Sequence, residues 1–187
     1  MLDANRTEYR IVRTATCGSS KFEHPRHTRR RRAVYNIRMP AREIIVAPDK
    51  FEVAADDALL TTELRSAMAV CVYDAVEEAG ALLHLRCVVH GSKPTEVTDS
   101  TLATELLLLD RCVEAMREAA PGARNLQARI IAHLSEHPHA QYTCDSVLLT
   151  VQHYLQDAGV QVLPADVSAG TPRVLRFRPS MGWVQVR

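Results

Sequence analysis

The segment from Thr61 to His84 contains residue types that could hydrolyse an amide. It combines a hydroxyl at Thr61, a thiol at Cys71 and an imidazole at His84. In a thiol amidohydrolase, a cysteine of low pKa attacks the amide carbon, a histidine accepts the thiol proton, and a hydroxyl or carboxylate orients the imidazole. These residues therefore indicate an enzyme site only if the fold brings a reactive thiol to the histidine.

A predicted helix determines how the thiol is placed. Ser66 is a good N-cap, and the apolar run at residues 68–78 is followed by glycine, so we expect a helix there. Cys71 lies one helical turn beyond Ala67, on the same face and deeper in the apolar run. This position favours a packing role for Cys71.

A predicted strand positions the imidazole. Residues 81–90 form an apolar run of β type that contains His84 and ends before a turn. Cys87 is three residues beyond His84, which places it on the opposite face of that strand. Cys87 is therefore a weaker candidate nucleophile than Cys71.

The rest of the chain mixes strand and helix signals without an internal repeat. Residues 101–119 give the strongest helix signal, because leucines recur at helical spacing and Pro121-Gly122 follow. The mixed order predicts an α/β layered sandwich. The other predicted elements are strands at 43–47, 51–53, 58–62, 125–134, 160–163, 173–178 and 183–186, a polar loop at 135–143, and a helix at 145–158 with Gly159 as its C-cap.

Residues 61–74 resemble the active-site segment of the CheD family of bacterial chemoreceptor glutamine deamidases, which reads Thr-Thr-Leu-Leu-Gly-Ser-Cys-Val-Ala-Val-Cys-Leu-Tyr-Asp. The resemblance extends over residues 41–187. It implies an α/β sandwich of the CheD and toxin-deamidase type, and an amidohydrolase that converts glutamines of methyl-accepting chemotaxis receptors to glutamate. The catalytic threonine, cysteine and histidine of that family fall on Thr61, Ala67 and His84.

The departures from the family pattern lie at its active-site positions. Ala67 replaces the nucleophilic cysteine, and a methyl group cannot attack an amide. Other altered positions are Arg65, Ala132-His133, Ser146-Val147 and Ser168-Ala169, where the family has glycines or the pair Arg-Asn. Side chains at former glycine positions indicate that the backbone no longer needs positive φ or close approach to a substrate. The resemblance therefore implies a degenerate site.

The other chemistry-bearing residues indicate neither a metal nor a cofactor. Five cysteines at irregular spacing, without a Cys-x-x-Cys pair, argue against a disulfide framework and a zinc ribbon. His133, His137 and His139 with Cys144 are zinc-type ligands, but their spacing matches no standard site, so solvated histidines are favoured. The chain has no Gly-x-Gly-x-x-Gly motif and no P-loop.

Charge is distributed unevenly along the chain. Residues 1–42 hold ten Arg and one Lys against three acidic residues, a net charge of +8, and the remainder carries −7. We expect residues 1–40 to be a basic, disordered arm and residues 41–187 to be a single CheD-like domain. The run Arg29–Arg32 could contact phosphates, but no aromatic interleaving or recognition helix supports nucleic acid as the partner. Without a membrane-length apolar run or a signal peptide, we expect a cytoplasmic protein.

Three functions are therefore open. The favoured one is a CheD-like chemotaxis protein with a degenerate site that binds methyl-accepting chemotaxis receptors, a CheC-type phosphatase or another signalling partner. The alternative is an active protein-glutamine deamidase that uses Cys71 with His84 and Thr61. A less favoured third reading is an electrostatic nucleic-acid binder that acts through the arm.

Overall fold

Two β-sheets and a layer of helices are stacked in that order. The computed structural model describes residues 7–8, 42–86, 99–134 and 138–187. Its elements are β1 (Thr7–Glu8), β2 (Arg42–Ile45), β3 (Lys50–Ala54), β4 (Ala58–Leu64), β5 (Ala67–Asp74), β6 (Ala79–Arg86), α1 (Asp99–Ala119), β7 (Gln127–Leu134), α2 (Pro138–Asp157), β8 (Gln161–Val162), β9 (Asp166–Ala169), β10 (Arg173–Arg178) and β11 (Trp183–Val186), with a 3-10 turn at Pro179–Met181.

The first sheet, sheet A, has the strand order β1-β11-β10-β4-β2, and the second, sheet B, has the order β3-β6-β5-β7-β8 with β9 also paired to β7. In sheet A, β2 runs parallel to β4. In sheet B, β8 and β9 run parallel to β7, whereas β3, β6, β5 and β7 form an antiparallel series. This architecture confirms the predicted α/β class and its layered arrangement.

Sheet B is the middle layer, so its central strands are buried on both faces. One core lies between the two sheets, and a second lies between sheet B and the helices. On β5, alternate side chains enter different cores: Ala67, Ala69, Cys71 and Tyr73 face sheet A, whereas Met68, Val70 and Val72 face the helices. Strands buried on both faces read as continuous apolar runs without alternation.

This double burial explains why the predicted helix at residues 68–78 is wrong. The segment is strand β5, and all eight of its residues are buried. A continuous apolar run does not distinguish a buried strand from a buried helix by periodicity alone. Ala67 therefore begins a strand, and it does not lie at a helix N-terminus, where the pKa of a thiol would be lowered.

The other predicted elements agree with the structure except in two places. The predicted loop at residues 135–143 is wrong from Pro138 onward, because α2 begins there, with proline at a position where its missing N–H costs nothing. Strand β9 was not predicted. The long helix and the predicted strands are confirmed within a few residues, and Gly159 ends α2 with a φ of 75°, as expected for a C-cap.

Several predictions fall outside the described residues. Within the predicted arm, Thr7–Glu8 pairs with β11, and the remainder of residues 1–40 lies outside, as do Cys87 and residues 88–90 of the predicted strand. In the ranges that the structure describes, no helix combines the length and apolar character that a membrane span requires.

Candidate active site

His84 forms the centre of a polar site between the two sheets. It lies on β6 with its side chain on the face toward sheet A, in alternation with Leu83 and Leu85, which face the helices. The Nδ1 atom of His84 is 2.7 Å from Thr62 Oγ1, which comes from β4 in the opposite sheet. This hydrogen bond is buried and joins the two sheets.

The hydroxyl of Thr62 determines which ring nitrogen of His84 carries the proton. Thr62 donates its only hydroxyl proton to the carbonyl oxygen of Val46, at 2.8 Å, because a carbonyl can only accept. Thr62 Oγ1 must therefore accept its second hydrogen bond from Nδ1–H of His84. The neutral imidazole then has its lone pair on Nε2, the arrangement of an oriented general base.

Thr61, the threonine implied by the family resemblance, lies on the other face of β4. Its hydroxyl donates to the carbonyl oxygen of Ile44 at 3.3 Å. Residues of the same strand alternate between faces, so Thr61 and Thr62 cannot both face His84. The structure thus places Thr62, rather than Thr61, in contact with the imidazole, and Thr62 is a site residue that the sequence pattern did not indicate.

Two methyl-bearing residues of β5 lie nearest to His84 at the end of β5 where the resemblance places the nucleophile. Ala69 is directly opposite His84 in the β5–β6 register, and Ala67 is its diagonal neighbour. Diagonal residues are separated by about 7–8 Å between Cα atoms, within reach of a long or aromatic side chain. Ala67 has no exposed surface. The position implied for the nucleophile is therefore near the base, but it carries no reactive group and is closed to solvent.

Charged groups at the end of β6 modulate His84. Burial lowers the pKa of His84, the carboxylate of Asp49 raises it, and Arg86 lowers it, with a net decrease. Asp49 accepts a hydrogen bond from the Arg86 amide at 3.1 Å and forms an ion pair with its guanidinium. Burial raises the pKa of Asp49, but these bonds from Arg86 outweigh it and leave the pKa below its usual value. At neutral pH, His84 is therefore an uncharged base beside an ion pair.

Cys71 is placed poorly for nucleophilic attack. It lies on the same face of β5 as Ala67, as predicted, and it is opposite Leu82 in the register. It is fully buried, and this burial is the main cause that raises the pKa of its thiol well above the usual value. A thiolate is the reactive form of cysteine, so a buried thiol of this kind is inert.

A second polar cluster lies on the other side of Ala67. His133 of β7 is directly opposite Ala67, and Ser168 of β9 is directly opposite His133. Nδ1 of His133 is 3.1 Å from Ser168 Oγ, and Nε2 is 3.3 Å from the carbonyl oxygen of Gly170. Arg173 donates from Nη1 to Ser168 Oγ at 2.9 Å. The prediction that His133 is a solvated histidine is wrong, because this side chain is buried and hydrogen-bonded.

The remaining altered positions do not all belong to this region. Val147 lies in the core between sheet B and the helices, and therefore on the opposite side of sheet B from His84. His137 and the side chains of His139, Cys144 and Ser146 lie outside the described residues. Among the described side chains, no group of three or more histidine, cysteine or acidic residues is arranged to hold a metal ion.

Comparisons with known proteins include a distant structural likeness. No protein-family model matches the chain, and no curated protein matches it. The crystal structure of the Neisseria meningitidis protein NMB0706, of the family DUF152, aligns with 73% of the chain at 13% sequence identity and a TM-score of 0.38. The chain spans 62% of the length of that protein. A likeness at this level does not bear on function.

Proposed function

We propose that the protein is a catalytically degenerate relative of the CheD-type glutamine deamidases that acts by binding partners in chemotaxis signalling. The partners are the cytoplasmic parts of methyl-accepting chemotaxis receptors, with a CheC-type phosphatase as a second partner. The observation that carries the proposal is the base His84, oriented by Thr62, on a face where Ala67 and Ala69 offer only methyl groups. The base of a thiol amidohydrolase is present without its nucleophile.

Two features of the site support binding over catalysis. A glutamine amide cannot reach Ala67, which has no exposed surface. Removal of a nucleophile lowers turnover by a factor of about 10⁶ in a hydrolase whose catalytic residues act as a unit, as in the subtilisin case. The fold is then retained for the surface that it presents to a partner, and the residual rate is close to the background rate.

The alternative is an active deamidase that uses Cys71 with His84. Cys71 is a diagonal neighbour of His84 on the same face, which is the observation in its favour. The burial of Cys71 opposes it, because activity would require both access for the substrate and a stable thiolate in an apolar core.

An assay on a receptor cytoplasmic fragment tests the two functions together. Binding is measured by calorimetry, and conversion of glutamine to glutamate is measured by mass spectrometry and ammonia release. We expect saturable binding without conversion for the unmodified protein and for the Cys71→Ala variant. Conversion that is lost in Cys71→Ala but retained in Cys112→Ala, a second buried cysteine, establishes the alternative. Absence of both binding and conversion rejects both functions.

Restoration of the nucleophile tests the degenerate site itself. In Ala67→Cys, a thiol stands diagonal to His84, and in the double variant with Arg65→Gly the preceding turn regains its glycine. Conversion by the single variant shows that the site is intact except for its nucleophile. Conversion by the double variant alone shows that Arg65 closes the site. No conversion by either variant shows that altered positions other than Arg65 and Ala67 also prevent catalysis.

A further inference from the structure

The structure assigns a reactive centre outside the Thr62–His84 site, a Ser168–His133 pair that can form an acyl-serine with carboxylic esters. The pair lies at the edge of the space between the sheets, where β9 leaves sheet B and the chain crosses to β10. It shares no side chain with the Thr62–His84 pair. The chemistry of this pair therefore does not depend on the proposed binding function.

Hydrogen bonding sets the roles of the two side chains. The Gly170 carbonyl can only accept, so Nε2 of His133 carries a proton and donates it across 3.3 Å. In the neutral ring, Nδ1 then has the lone pair and accepts the hydroxyl proton of Ser168 across 3.1 Å. A serine hydroxyl that donates to an imidazole, with the imidazole oriented through its other nitrogen, is the nucleophile and base arrangement of acyl transfer.

Arg173 supplies positive charge at the place where negative charge develops. Its Nη1 donates to Ser168 Oγ at 2.9 Å, so the guanidinium lies beside the atom that attacks. Fixed donors beside a developing oxyanion stabilise the tetrahedral intermediate. Arg173 comes from sheet A, and Ser168 and His133 come from sheet B, so the packing of the two sheets assembles the group.

The nucleophile Ser168 and the base His133 differ in their exposure to solvent. Ser168 is partly exposed on a strand at the sheet edge, whereas His133 is 1% exposed. Ser168 therefore lies nearer to solvent than its base, which is shielded from water. This contrasts with Ala67, the neighbour of His133 on the inner side, which is closed to solvent.

Acylation transfers the acyl group of the ester to Ser168. Ser168 Oγ forms a bond to the ester carbonyl carbon while its proton passes to Nδ1 of His133 and the carbonyl electron pair moves onto oxygen beside Arg173. Collapse of the intermediate breaks the carbon–oxygen bond of the ester, and Nδ1 returns the proton to the leaving alkoxide, which departs as an alcohol. Water then repeats the sequence on the acyl-serine, releases the carboxylic acid and restores the Ser168 hydroxyl. An ester suits this pair because its leaving group needs less protonation than that of an amide.

Two probes test the assignment on the full chain. A fluorophosphonate labels an activated serine covalently, and p-nitrophenyl acetate reports acylation and turnover. We expect peptide mass spectrometry to find the fluorophosphonate on Ser168, and we expect S168A to lose label and turnover. His133→Gln should slow acylation by about 10²-fold or more, the usual contribution of a general base. Ser180→Ala and His153→Gln, a second partly exposed serine and an exposed histidine, should match the unmodified protein.

Loss of label or turnover could also come from a variant that does not fold, so folding is measured separately. Thermal melting is measured for each variant, and the S168C variant provides a second reading. Its thiol should react with iodoacetamide at least about tenfold faster than the thiol of S168C/H133Q, because the base would be missing from the double variant. Equal rates in that pair, fluorophosphonate on serines other than Ser168, or undiminished turnover in folded S168A would each overturn the assignment.

Discussion

At the scale of single residues, one hydroxyl proton determines the chemistry of the candidate site. Thr62 has one proton to donate, the Val46 carbonyl takes it, and His84 must donate from Nδ1. A threonine can thus perform the orienting function that a carboxylate has in serine hydrolases, without adding a negative charge between the sheets. Burial is the main cause that keeps the pKa of His84 below its usual value, and Arg86 lowers it further, although the Asp49 carboxylate raises it.

The first prediction concerns this hydrogen bond. In the unmodified protein, ¹⁵N NMR should show a neutral His84 protonated at Nδ1, with a pKa below the ordinary value of about 6.5. Thr62→Val removes the acceptor, so we expect the proton to redistribute toward Nε2 and the free energy of unfolding to fall by about 1–3 kcal/mol. Thr61→Val is the matched control, because its hydroxyl bonds to Ile44 on the opposite face. A tautomer that responds to Thr61→Val instead would contradict the assignment.

The lowered pKa of His84 makes the free energy of unfolding depend on pH. Because the native pKa of His84 is lowered, the unfolded chain binds a proton first as the pH falls. The contribution of His84 to stability is therefore complete above about pH 6.5 and decreases below it. In the Thr62→Val and Thr61→Val pair, urea unfolding at pH 7 and pH 5.5 measures whether this dependence changes.

The residues of the site were only partly predictable from sequence. His84 is identified as a site residue from the motif spacing. Ala67 and Cys71 are four residues apart, so they lie on the same face whether the segment is a helix or a strand. Thr62 could not be distinguished from Thr61, because the face that β4 turns toward sheet B depends on packing between the sheets. Ser168 and His133 are 35 residues apart in the chain and meet only through the parallel pairing of β7 and β9.

At the scale of elements, the error in β5 has a definite physical origin. Its residues are apolar on both faces because one face packs on sheet A and the other on the helices. The local pattern therefore lacked the alternation by which strands are recognised. Elements with one buried face, such as α1, were predicted well because exposed positions interrupt their apolar pattern.

The second prediction concerns the turn between β10 and β11. Gly182 has a φ of 58°, and a Cβ atom there would lie 2.6 Å from the Tyr73 ring. Tyr73 cannot easily move, because its hydroxyl donates to Gln127 and its ring packs on Phe177. Gly182→Ala should therefore lower the free energy of unfolding by about 1 kcal/mol for the left-handed backbone and by about 1–3 kcal/mol more for overpacking.

Gly159 provides the matched control for this substitution. Its φ is 75°, and a Cβ atom there would have no neighbour within 4 Å. Gly159→Ala should therefore show the backbone cost alone, about 1 kcal/mol. Urea unfolding of the two variants measures the difference, and equal losses would show that the Tyr73 ring adjusts without cost.

At the scale of the whole molecule, sheet B couples two cores. Cys71 lies in the core between the sheets, and Cys112 of α1 lies in the core between sheet B and the helices. Both are buried, and burial raises the pKa of the Cys112 thiol to about 12 and that of Cys71 further. If sheet A or the helix layer separated from sheet B, one face of β5 and β7 would be exposed to water. The stabilisation from the apolar area buried on that face would then be lost.

The third prediction follows from this coupling. We expect the two cores to unfold as one unit, so that iodoacetamide reaches Cys71 and Cys112 only through global unfolding and at equal rates. Peptide mass spectrometry resolves the two sites in the full chain, and the opening free energies should equal that from urea unfolding. Gly182→Ala contacts only the core between the sheets, yet it should accelerate labelling of both cysteines by the same factor. Faster labelling of Cys112 alone would show instead that the helices detach as a separate unit and leave the two sheets folded.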